Sequence, residues 1–241
     1  MKLSQRLEAV AAFVPQCAVA ADVGTDHGYI PMALVERNTV RSAIAMDVRK
    51  GPLERAKAHI AEAGLTDRIQ ARLSDGLEAL APGEADCVII AGMGGELMLH
   101  ILEAGRAKWD SIPNWVLSPH SDQERVRRFL AGNGFAVRRE ELVKDEGKFY
   151  SVMDVEYRPG AQKRYRKDPV ETCSETAGFR YGASLLAGKH PVLKEFLAQE
   201  HRQYEDLFQT LSAARTQKAE RRCEEIRGIL AVNEEAQDEM Q

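Results

Sequence analysis

Apolar positions along the chain follow two alternating periods through its first two thirds and settle into one period after that. Leu3, Leu7, Val10 and Val14 lie at helical spacing and predict a helix over Leu3 to Phe13. Ala18 to Val23 is a short apolar run ending at Asp22-Val23-Gly24, and Ile30 to Arg37 returns to the helical period, which predicts strand, turn, helix. Ser42 to Val48 predicts a second strand. The segment from Gly51-Pro52 to Gly64 predicts a helix, with proline near its start and glycine at its stop. RIQARLSDG predicts a third strand, and Asp86 to Ala91 a fourth whose apolar run suits a strand covered on both faces.

That fourth strand leads into Gly92-Met93-Gly94-Gly95 and a helix from Glu96 to about Ala104. NWVLSP predicts a fifth strand, and SDQERVRRFLAGNG a helix with Ser121 as its N-cap. FAVRREELVKDE and KFYSVMDVEYRP, separated by Glu146-Gly147, predict an antiparallel pair at the sheet edge. The expected fold class is α/β: a doubly wound, Rossmann-like sheet of seven mostly parallel strands.

After Pro159-Gly160 the pattern changes. Residues 161–190 hold a basic cluster and no strong period, so they are expected to be a linker between a first domain, 1–160, and a helical domain, 191–241. Leu193, Leu197, Tyr204, Phe208 and Leu211 form one apolar stripe, and Ala219, Cys223, Ile226 and Leu230 a second. Two stripes in succession predict an antiparallel helical hairpin of coiled-coil type. The turn near Ala213 to Thr216 has neither Gly nor Pro, so one long helix is the alternative.

The composition fits a folded globular chain, with 44% apolar and 29% charged residues. Arg6 and Glu8 interrupt the first apolar pattern, which therefore predicts an amphipathic helix and not a signal-peptide core. No run reaches the ~18 apolar residues that cross a bilayer, so no membrane partner is expected. Cys17, Cys87, Cys173 and Cys223 lack CxxC or CxxH spacing, which argues against zinc, against any metal site of that kind and against a disulfide framework. A cytoplasmic location is expected. The net charge of -4 restricts any nucleic-acid binding to a local patch.

In open α/β sheets, ligands bind beyond the carboxyl ends of the strands where strand order reverses. After the first strand stand Asp22, Gly24, Thr25, Asp26, His27 and Gly28, with glycines four apart, which matches neither GxGxxG nor a phosphate loop. Asp47 ends the second strand, placed to accept both hydroxyls of a ribose. Asp75 and Gly76 follow the third, where a carboxylate suits an exocyclic purine amine. Ala91, Gly92, Met93 and Gly94 end the fourth, and missing side chains there let a ligand approach the backbone. Together these describe a site for an adenosine without polyphosphate, and S-adenosylmethionine fits it, with Asp22 at its amino-acid end.

The stretches ADVGTDHGYIP, SDGL, IIAGMGG, SPH and EGKFY stand in the order found in bacterial tRNA (adenine-22-N1)-methyltransferases, and the chain resembles that family over essentially its whole length. The resemblance implies a class I S-adenosylmethionine-dependent methyltransferase followed by a coiled-coil-like domain, acting on N1 of an adenine in tRNA. Better-known members read Gln-Pro-Asn where this chain reads Ser118-Pro119-His120, so a side-chain amide is replaced by His120. Gly92 to Gly94 and Ser118, Pro119 and His120 are expected as walls of the base pocket, and Asp26 or His27 as the group that orients the adenine or takes a proton from its amino group. Candidate tRNA contacts are Lys163, Arg164, Arg166 and Lys167 with Tyr165 among them, plus Arg125 and Arg128. Two alternatives stand beside this reading: a methyltransferase for another substrate, and a binding protein without catalysis.

Overall fold

Ser4 starts the fold locally: its Oγ accepts from the Leu7 N–H at 3.4 Å and caps α1 (Gln5–Phe13). The computed structural model describes residues 2–160, 175–214 and 216–241. They fall into two units, Met1–Arg166 and Lys167–Gln241.

In the first unit, β1 (Cys17–Val23), α2 (Tyr29–Glu36), β2 (Val40–Asp47), α3 (Lys50–Glu62) and β3 (Ile69–Leu73) wind in one direction. The chain then returns through β4 (Cys87–Met93), α4 (Gly95–Ala104), β5 (Asn114–Pro119) and α5 (Gln123–Gly132), and ends in β6 (Phe135–Asp145) and β7 (Lys148–Tyr157). The sheet order is β3-β2-β1-β4-β5-β7-β6, so its direction reverses between β1 and β4. β7 runs antiparallel between β5 and β6, as the edge pair predicted from sequence requires. Successive strand residues face opposite ways: Ala20 and Ile89 join the apolar core under α1, α2 and α3, whereas Ala21 and Ile90 join the core under α4 and α5.

Two local expectations change. The fourth strand does not stop at Ala91, because Gly92 at φ +80° forms an irregularity across which pairing with β5 resumes at Met93 and Pro119. Ser121 does not cap α5. Asp122 precedes that helix in the left-handed region at φ 55°, and Ser121 Oγ instead donates to Asp122 Oδ2 and accepts from the Gly95 N–H at 3.3 Å.

The second unit contains α6 (Pro191–Ser212) and α7 (Gln217–Glu239). Ser212 lies beside Cys223 while Leu197 lies beside Asn233, so the two helices are antiparallel. The break needs no glycine: Thr216 is extended at φ -119° and its Oγ1 caps α7 by accepting from the Ala219 N–H at 3.2 Å. Part of the expected linker is helical from Glu175 to Ala187, with a π-helical turn at Gly178–Gly182. Phe179, Tyr181, Leu185 and Leu186 are buried there, so these residues join the second unit's core. The rest of that expectation, residues 161–174, lies outside the described residues.

Candidate active site

The first loop is built on left-handed backbone. Gly24 has φ +80°, a conformation that strains any side chain, and a Cβ there would stand 2.7 Å from the flexible end of Met93 on β4. The N–H groups of Gly24 and Thr25 both donate to the Met46 carbonyl at 2.8 Å, which ties the loop to β2. His27, at φ 63°, is a non-glycine residue in the same strained region. Its ring stacks with Tyr29 at 5.3 Å and with His59 of α3 at 5.3 Å, and His59 Nδ1 reaches the His27 carbonyl at 3.0 Å. Asp26 is exposed and pairs with Arg55 at 3.0 Å.

Asp22 is buried at the end of β1, and burial raises its pKa to about 6. The adjacent Thr25 pulls the other way, and the Asp47 carboxylate adds to the rise. Thr25 is itself buried beside Asp22. Asp47 is buried at the end of β2 and accepts from the Arg49 N–H at 2.7 Å. Ser74 shapes the loop after β3 by donating to the Gly76 carbonyl at 2.9 Å, and the exposed Asp75 lines a cavity of about 300 Å³ together with His100, Ile101 and Lys108. Val48, next to Asp47, and Leu73, paired with Asp47 across β2 and β3, expose their apolar side chains at 56% and 49%. Sequence reasoning missed both; the signal was Val48 following Asp47 directly.

At the ends of β4 and β5, the His120 N–H donates to the Met93 carbonyl at 2.9 Å, joining the two sequence-predicted walls. Ser118 is buried and its Oγ has no protein partner among the described residues. The His120 ring stands 5.1 Å from that of Tyr150, edge on. Burial, then Arg6, then Lys148 lower the His120 pKa below its ordinary value, so the imidazole is neutral at pH 7. Arg6 and Tyr150 were not foreseen as site residues, although EGKFY was singled out as a motif. They come together because α1 packs on the β6–β7 hairpin, where the Arg6 N–H donates to Asp145 Oδ2 at 3.1 Å.

Other expectations sort by burial and partners. Arg127, between Arg125 and Arg128 in the sequence, is buried and paired with Glu140. Arg128 pairs with Glu124 at 2.8 Å, and Arg125 is exposed. Lys163, Arg164, Tyr165, Arg166 and Lys167 lie outside the described residues, as does Cys173. Burial raises the thiol pKa of Cys17 to about 11 and that of Cys87 well above its ordinary value, so neither is a ready thiolate. Among the described residues no three side chains are grouped to hold a metal, and no helix is long and apolar enough to cross a membrane.

A family model described as a methyltransferase domain matches residues 3–153. The tRNA (adenine(22)-N(1))-methyltransferase of Bacillus subtilis (strain 168) is 34% identical over 227 residues, covering 94% of this chain and 93% of that protein. The crystal structure of the B. subtilis M1A22 tRNA methyltransferase TrmK superposes with a TM-score of 0.85 at 33% identity, covering 98% and 99% of the two chains. A putative tRNA (m1A22) methyltransferase from Streptococcus pneumoniae, solved in complex with S-adenosyl-L-methionine, gives a TM-score of 0.82 at 30% identity over 98% and 100%.

Proposed function

Because the chain belongs to the family of tRNA (adenine(22)-N(1))-methyltransferases, we propose that its activity, transfer of a methyl group from S-adenosylmethionine to N1 of adenine 22 in tRNA, takes place in the crevice between the ends of β1 and β4. One observation carries that placement. Carboxylates at the ends of β1 and β2 and on the β3 loop share the carboxyl edge of the sheet, where strand order reverses, with two buried hydrogen-bonding atoms that lack protein partners, His27 Nδ1 and Ser118 Oγ.

Those groups fit the cofactor. Asp47 supplies acceptors for the ribose hydroxyls, Val48 and Leu73 an apolar surface for the adenine ring, and Asp75 an acceptor for its amino group. Asp22 and Thr25 complement the charged amino-acid end. When bound, S-adenosylmethionine supplies an electrophilic methyl group on a sulfonium.

For the substrate, Gly92, Met93 and Gly94 form one wall and Ser118, Pro119 and His120 the other. Adenine N1 carries a lone pair at neutral pH and needs no base before attack. The residues' task is to receive an extruded base and align it, and positioning of that kind supplies ~7–11 kcal/mol of a barrier. His120, held neutral, is available to accept the proton that the purine amino group gives up after N1 is methylated. Asp26 acts through Arg55 to hold the loop that presents His27. A tRNA substrate also supports a cytoplasmic location.

The test is mass analysis of nucleosides from an unmodified tRNA transcript incubated with the protein and S-adenosylmethionine. New 1-methyladenosine at position 22 is the expected result. An unchanged profile with the cofactor bound would overturn this reading and leave the two alternatives, a methyltransferase for another substrate and a binding protein without catalysis.

A further inference from the structure

We propose that Arg6 is a phosphate clamp for the nucleotide whose base is methylated, with Tyr150 as the platform that holds its guanidinium; the proposal rests on the tRNA activity stated above. The Arg6 guanidinium lies over the Tyr150 ring, 5.4 Å from its centroid. It also rims the space over Gly92: a Cβ built there would meet nothing within 4 Å except Arg6 Nη1, at 3.8 Å. The residue is therefore at the mouth of the base pocket and on its open side.

Its charge is unanswered. Among the described residues no carboxylate pairs with the Arg6 guanidinium, although the same residue's backbone N–H is fixed by Asp145. Lys148, exposed at the start of β7, adds a second positive charge beside His120. An arginine is always protonated, and its planar fork matches phosphate oxygens in pairs.

The reaction decides which part of the nucleotide it meets. Positive charge moves from the sulfonium onto the purine as the methyl group transfers, so a bare guanidinium against the base would oppose the transition state. Against a backbone phosphate, its charge is neutralised and the nucleotide is held. An extruded base brings its flanking phosphates to the pocket mouth, where Arg6 stands. The neutral groups, His120 and Ser118, are the ones left facing the base.

The test uses the full-length protein with Arg6→Gln and Arg6→Lys, assayed on tRNA across a salt series. It also uses tRNA carrying a single uncharged methylphosphonate on either side of the target adenosine. With Arg6→Gln, KM for tRNA should rise roughly tenfold at low salt, and the slope of log affinity against log salt should shrink by about one. S-adenosylmethionine affinity and melting temperature should hold. Arg6→Lys should restore the slope but only part of the affinity. Methylphosphonate at one flank should weaken the wild type by a similar factor and cost Arg6→Gln little more. A wild-type salt slope in Arg6→Gln, a loss of cofactor binding or melting temperature, or an undiminished methylphosphonate penalty in that variant would overturn the clamp. A wild-type enzyme that makes no 1-methyladenosine would instead remove the activity, and the clamp with it.

Discussion

The Glu200 cluster of the helical unit and the strand ends of the first unit treat their buried polar groups in opposite ways, although His201 Nδ1, elsewhere in the helical unit, is also buried without a protein partner. In the helical unit Glu200 accepts from Arg180 at 2.7 Å, from the Tyr181 hydroxyl at 2.6 Å and from the Asn233 amide at 3.1 Å. Asn233 also donates to the Leu197 carbonyl and accepts from Gln237. Burial, together with that carboxylate, holds the Tyr181 phenol well above its ordinary pKa. Around the strand ends of the first unit, His27 Nδ1 and Ser118 Oγ are buried without protein partners, and Asp22 is buried at a cost. A closed network fixes one packing of two helices. An open one is a stability cost that a ligand can remove.

The largest expected effect breaks the closed side. Glu200→Ala leaves Arg180 and Tyr181 without their shared acceptor and should destabilise the helical unit by about 3 kcal/mol in denaturant unfolding. Affinity for S-adenosylmethionine, measured by calorimetry, should not change. Asp47→Ala should do the reverse, weakening the cofactor roughly 10- to 100-fold with little loss of stability. If both variants lost stability and kept their ligand, the distinction between the two regions would collapse.

Asp22→Asn sharpens the comparison by its sign. The folded carboxyl group titrates at about 6 against an ordinary 3.8, so its stability penalty is absent below the lower value and complete above the upper one. The variant should therefore be more stable than wild type at pH 7, by on the order of 2 kcal/mol, and the gain should vanish as pH falls toward 4. It should also bind the cationic cofactor more weakly. Thermal melts at two pH values decide it, and a variant less stable at neutral pH would show that Asp22 is not carrying a burial cost.

The sheet was legible because each strand is short, apolar and bounded by turn residues, and NWVLSP matches β5 (Asn114–Pro119) residue for residue. The cofactor-side candidates were legible for a related reason: once a strand end is located, Asp22, Asp47 and Asp75 follow within a few positions. Arg6 and Tyr150 were not, since they lie far apart in the chain and meet only through the packing of α1 on the edge hairpin. The burial of Arg127 was not legible for the same reason, its partner Glu140 lying on a strand that local pattern does not pair with α5. The break between α6 and α7 was left open because glycine and proline were sought, whereas the stop is made by the Thr216 cap.

The position of β7 between β5 and β6 has a consequence for how the protein is made. Synthesis delivers β6 first, yet the sheet has no place for it until β7 has docked against β5. A chain emerging from the ribosome carries every proposed cofactor contact by residue 94, while α1, completed at the outset, waits more than a hundred residues for the hairpin it packs on. The nascent enzyme acquires its means of holding the methyl donor before it acquires the wall that selects a base.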